Sequence, residues 1–222
     1  ISKRLKCSKG LQNLIIRENP LDSEGVCTLL SNISDSSSLR KVVLDQVNGG
    51  RESSRNVRRD SSLSFSTGSL DNIYYFKGLN SNVTFEELEI ITLDMNDSFC
   101  NAMKSMLQVN SGITTLTLHD IEPTKEGAII LYEMISSAKS LGKISLDLRD
   151  STSAELKMYT NSIVRNNSLS EASIMLDRFE LSPGYYKYFL STLLINSKIQ
   201  KLILKTSNNE YILGMNATVS GF

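Results

Sequence analysis

The stretch Ile113-Thr114-Thr115-Leu116-Thr117-Leu118-His119 decides how the whole chain is read. Its apolar residues stand at the first, fourth and sixth places. The same spacing returns as Leu141, Ile144 and Leu146, and again, after an equal interval, as Leu169, Ala172 and Ile174. Alternation of apolar and polar residues at the end of each stretch is the pattern of a strand with one buried side.

Working outward, the anchor triplet is found again as Leu11, Leu14, Ile16; Leu39, Val42, Leu44; Phe85, Leu88, Ile90; and Ile199, Leu202, Leu204. First anchors therefore stand at Leu11, Leu39, Phe85, Ile113, Leu141, Leu169 and Ile199, and the interval from Leu39 to Phe85 carries an insertion. Self-similarity at a period of about 28 residues is the mark of a solenoid. An asparagine three places before the anchor, at Asn82, Asn110, Asn166 and Asn196, sets the register and selects Phe85 over a competing frame on Leu88, Ile91 and Leu93.

The second half of each unit reads as a helix. Val26, Leu29, Leu30 and Ile33, and later Ile130, Leu131, Met134 and Ile135, have helical spacing. Ser182 before Pro183 gives an N-cap and first-turn proline, and Thr152 with Glu155 has the spacing of a capping box. A strand-turn-helix unit of this length cannot bury both its apolar sides alone, so neighbours must stack, with parallel strands on one face and helices on the other.

On these residues the chain resembles the ribonuclease-inhibitor-like type of leucine-rich repeat, from Leu11 to about Lys205. The fullest match is the unit Leu11, Leu14, Ile16, Asn19, Leu21, Gly25, Leu29; the slot of Asn19 is filled elsewhere by Val47, Leu93, Ile121, Arg149 and Asp177. The resemblance implies an α/β horseshoe, strands concave and helices convex. Its relatives include inhibitors, nucleotide-binding immune sensors, actin-capping proteins and ciliary scaffolds, and one family activates small GTPases. No residue here can be carried over to a GTPase-activating role.

The expected organisation is a single domain over 1–222 with strands near 13–17, 41–45, 87–91, 115–119, 143–147, 171–175 and 201–205. Residues 48–68, rich in Ser, Gly and Arg, are expected to form a disordered loop, because they hold too little apolar surface to offset chain entropy. Within it, Arg58-Arg59-Asp60-Ser61 has the pattern of a basophilic kinase site, with Ser61 as acceptor. Leu70 to Leu79 read as a resuming helix. The start at Ile1 and the helix-like run to Lys6 suggest a piece of a longer protein, and an atypical last unit is expected after Lys205.

Composition narrows function. Lys and Arg number 24 against 24 Asp and Glu, so no net field favours nucleic acid or an anionic membrane. The apolar run Tyr188 to Ile195 is far short of the roughly 20 residues that a membrane span needs. Cys7, Cys27 and Cys100 form no metal pair or disulfide framework, which fits a cytoplasmic setting and buried thiols. Five sequons, at Asn32, Asn82, Asn96, Asn166 and Asn216, weigh the other way, although two coincide with the repeat's own asparagine. No phosphate loop or metal-binding helix motif is present, so no cofactor or metal is expected, and His119, the only histidine, leaves little room for a catalytic group.

The expected function is therefore non-enzymatic: a protein partner held on the strand face. Residues alternating with the anchors supply the candidates: Arg17, Arg40, Lys41, Asp45, Glu86, Glu87, Glu89, His119, Asp147, Met175, Lys201 and Lys205. Charge changes sign along them, acidic in the third unit and basic in the last, which suits specificity toward a patterned partner.

Overall fold

The computed structural model describes residues 10–17, 29, 38–45, 83–91, 94–149, 151–176, 189–193, 198–205 and 210–214. The inserted segment 48–68 with Ser61, the Leu70–Leu79 stretch, Asn82, Asn196 and the Ser182-Pro183 pair lie outside them, as do Cys7 and Cys27.

Seven parallel strands fall on the anchor triplets: β1 (Asn13–Arg17), β2 (Lys41–Asp45), β3 (Glu87–Ile91), β5 (Thr115–His119), β7 (Lys143–Asp147), β8 (Glu171–Met175) and β9 (Lys201–Lys205). They lie side by side in chain order, with the second and fourth residue of each strand turned inward. Equivalent residues are partnered directly, Leu88 with Leu116, Leu116 with Ile144, Ile144 with Ala172, so the repeat period in sequence becomes a zero offset in space. Each inward Leu or Ile removed from water contributes roughly 1.5–3 kcal/mol before entropy is counted.

Among the described residues three helices of 13 residues form the second layer: α1 (Asp97–Val109), α2 (Lys125–Ser137) and α3 (Ser153–Arg165). Their starts are capped by Asn96, Thr124 and Thr152, each accepting the backbone N–H three places on, and Thr152 with Glu155 forms the capping box that the spacing predicts. Their inner faces, among them Phe99, Met103, Met106, Leu131, Ile135, Leu156 and Ile163, close the core against the strands. A helical stretch at 189–193 adds Phe189 and Leu193 to that core. Between strand and helix, β4 (Asp94–Met95) and β6 (Glu122–Pro123) pair in a two-stranded sheet. At Gly127 the first turn of α2 passes so close to α1 that a Cβ would stand 3.2 Å from Cys100 Sγ. Burial pushes that thiol up to about 12, so Cys100 is an inert core residue.

Three repeated hydrogen-bond devices join one unit to the next. The carbonyl of the residue after each first anchor accepts two N–H groups from the following unit: Gln12 O from Arg40 and Lys41, then Arg40 O, Glu86 O, Thr114 O, Gly142 O and Ser170 O in the same way. A serine just before the anchor donates to the carbonyl of the previous unit's anchor: Ser38 to Leu11, Ser140 to Ile113 and Ser168 to Leu141. Asparagine at the helix end turns the chain into the strand. Asn110 Oδ1 accepts from Gly112 and Ile113, and Asn166 Oδ1 from Ser168 and Leu169, while Asn166 Nδ2 donates to the Ile135 and Ala138 carbonyls. The sequon at Asn166 is therefore closed, since its amide is buried and hydrogen-bonded at both atoms.

The last of the described strands departs from the period. β10 (Glu210–Gly214) runs antiparallel to β9, with Tyr211 opposite Leu204 and Ile212 opposite Ile203. Among the described residues no helix is long and apolar enough to cross a membrane.

Candidate functional site: the strand face

Zero offset sorts the outward side chains into three rows across the strands. The first row is Asn13, Lys41, Glu87, Thr115, Lys143, Glu171, Lys201. The second is Ile15, Val43, Glu89, Thr117, Ser145, Ser173, Ile203, extended by Ile212 of β10. The third is Arg17, Asp45, Ile91, His119, Asp147, Met175, Lys205. Arg40 and Glu86 flank the first row.

The structure brings most of the charged candidates into contact with one another. Lys41 Nζ sits 3.0 Å from Glu87 Oε2 and 3.4 Å from Glu89 Oε2. The Glu87 hydrogen bond and both carboxylates outweigh the opposing effect of burial and raise the Lys41 pKa. Arg40 pairs with Glu86, and Arg17 Nε lies 3.9 Å from Asp45. Glu171 stands between two lysines, 3.9 Å from Lys143 and 3.9 Å from Lys201. Lys205 lies in register with Met175 on one side and Glu210 on the other. Met175 is half-buried, Ile15 is exposed, and Val43, although on this face, is buried.

Between the two charged groups lies a stretch with short side chains. Thr115, Thr117 and Ser145 are half-buried and Ser173 is 7% exposed, with Thr114, Gly142 and Ser170 alongside. His119 closes one end of it, its Nε2 2.9 Å from Ser145 Oγ. Burial lowers the imidazole pKa; Asp147 and Glu89 pull it upward, and Arg149 and Lys205 act against them. The lowered pKa favours the neutral imidazole, so His119 adds no charge to this patch of short side chains.

Asp147 is engaged by its own strand end. Arg149 donates from its backbone N–H and Nε to the Asp147 carboxylate, with an additional Nη2 contact. This is how the turn is held where the repeat has Arg149 in place of asparagine. Neither Arg149 nor Ser145 is among the site residues expected from sequence. Arg149 had a signal, an acid two places before a basic residue in the turn slot; Ser145 had none beyond its place in the row. Among the described residues no group of three or more His, Cys, Asp or Glu is placed to hold a metal ion.

Parallel strands stacked in chain order with helices on one side define a leucine-rich-repeat solenoid. No protein-family profile matches the chain, and no curated protein matches it in sequence. Solved structures similar to it include the actin-binding site 2 of leiomodin-1, at 15% identity and a TM-score of 0.48, covering 80% of this chain and 91% of that one. Another is the leucine-rich repeat-containing protein LegL7 from Legionella pneumophila, at 15% identity and a TM-score of 0.49, covering 95% of this chain and 63% of that one.

Proposed function

We propose that this chain is a non-enzymatic protein-binding module that holds its partner on the strand face, and that its repeats are of the ribonuclease-inhibitor-like type acting as one domain over 1–222 in the cytoplasm. The observation that carries the reading is the zero-offset register. It sets residues one full repeat apart in sequence side by side and gives the face three continuous rows of outward side chains over seven strands. Such a lattice presents many contacts on a rigid support, which lowers the ordering cost of association.

The pairing of the charged candidates bears on how such a face acts. Ion pairs already satisfied within the face lose less on desolvation than isolated charges do, and they fix the pattern that a partner must match.

The test places a photo-crosslinking residue at Thr117, on the face, or at Ile129, exposed on α2. In native extract the Thr117 probe is expected to form a discrete adduct that the Ile129 probe does not. Adducts from Ile129 with none from Thr117 would overturn the reading.

A further inference from the structure

The two ends of the strand face carry opposite surplus charge. Over β1 to β3, the cations Arg17, Arg40 and Lys41 meet four carboxylates, Asp45, Glu86, Glu87 and Glu89, with Glu87 and Glu89 sharing one ammonium. Over β7 to β9 the sharing is reversed: one carboxylate, Glu171, serves both Lys143 and Lys201. Asp147 is matched by Arg149, and Lys205 has Glu210 in register beside it. Among the described residues the acidic surplus lies at β3 and the basic surplus across β7 to β9.

Along the middle row the space between them is uncharged and shaped. Thr117, Ser145 and Ser173 form a floor of small hydroxyl side chains, while Glu87, Glu89 and Lys41 on one side and Lys201 and Ile203 on the other are longer. A backbone laid on side chains, away from any sheet edge, finds no ladder to join. An extended segment would leave its N–H and C=O groups poorly satisfied, whereas a helix satisfies them internally.

Resting on the reading of this face as the binding surface, we propose that the face receives a helix of the partner protein laid across β5, β7 and β8. The helix is bipolar, its basic end over Glu87 and Glu89 and its acidic end over Lys143 and Lys201. Lys143 is two strand steps from β3 and Lys201 four, so at about 4.8 Å per step the opposite charges lie about 10–19 Å apart. At about 1.5 Å per residue, the helix's own opposite charges stand about 6–13 residues apart.

The probes are three fluorescent, alanine-rich helical peptides with charged ends about 12 residues apart, the spacing that the helical rise sets. One has glutamates at its N-terminus and lysines at its C-terminus, one has lysines at both ends, and one has glutamates at both. In low salt the bipolar peptide is expected to bind about threefold more tightly than either of the others, the size of one exposed charge contact. Glu89→Lys should move the preference to the all-glutamate peptide, and Lys201→Glu to the all-lysine peptide. A rank order that ignores both substitutions overturns the bipolar helix. If Thr117 still cross-links a partner in that case, the binding surface stands and only the helix falls; adducts from Ile129 alone remove both.

Discussion

Asp147 and Arg149, two places apart at the end of β7, form a forked ion pair in which the carboxylate side chain is 4% exposed and the guanidinium 38%. Burial alone would raise the Asp147 pKa, but the hydrogen bonds and charge of Arg149 outweigh it and hold the carboxyl below its ordinary value. Replacing Arg149 with leucine leaves the buried carboxylate only the backbone N–H of residue 149 and is expected to destabilise the fold by about 3 kcal/mol. Urea unfolding of the variant at pH 7 measures this; a loss below about 1 kcal/mol would show that the carboxylate finds water or another donor. The sign with pH follows from the lowered pKa: the pair's contribution is present above 3.8 and is lost as pH falls through the folded value, so the gap between wild type and variant should narrow in acid.

The pair Arg40–Glu86, just before β2 and β3, has similar chemistry in a different setting, both side chains being half exposed. Arg40→Ala is expected to change stability by no more than about 0.5 kcal/mol, because solvent screens the pair and its side chains are costly to order. A loss comparable to that of Arg149→Leu would mean that exposure does not separate the two.

Asn166 is 1% exposed and both its amide atoms are engaged, with two carbonyls of the preceding unit and two N–H groups of its own turn. Asn166→Ala leaves these groups without that partner and is expected to lower stability by about 2–4 kcal/mol, in the range for broken buried networks. Hydrogen exchange should quicken at Ser168 and Leu169 first. Unchanged protection at those two amides would count against the assigned role.

His119 offers a test that needs no partner. Its pKa is lowered below 6.5 by burial, so the unfolded chain binds the proton more readily than the folded one. Stability is therefore full above pH 6.5 and is lost as pH falls through the folded value. His119→Gln removes that dependence, and the stability of wild type relative to the variant should decline from pH 7 to pH 5. A difference that stays flat over this window would mean that the imidazole accepts its proton at no cost.

How much of this was legible beforehand depends on the range over which each interaction acts. The anchor triplets revealed the solenoid because burial repeats at every unit, so Leu88, Leu116 and Ile144 announce the same inward position three times. The asparagines at 110 and 166 were visible as register marks, but the bonds that Asn166 makes to a neighbouring turn were not, since those partners come from the unit before. The serines at 38, 140 and 168 stood one place before the anchor in plain view. Their meaning depended on a carbonyl one repeat earlier in the chain. For the strand face, the outward residues could be named but not their pairing. Whether Lys41 faces Glu87 or an empty neighbour depends on an offset between strands, and alternation along one strand says nothing of that offset.

The carbonyl that receives two N–H groups from the following unit has a consequence for how such a chain changes over generations. Each repeat presents the same acceptor to whatever comes next and brings the same pair of donors to whatever came before. A duplicated or deleted block would find matching groups at both seams, and a segment inserted between strand and helix would leave those seams untouched. Gain and loss of whole blocks is thus a gentler route to a longer or shorter binding surface than point substitution within one.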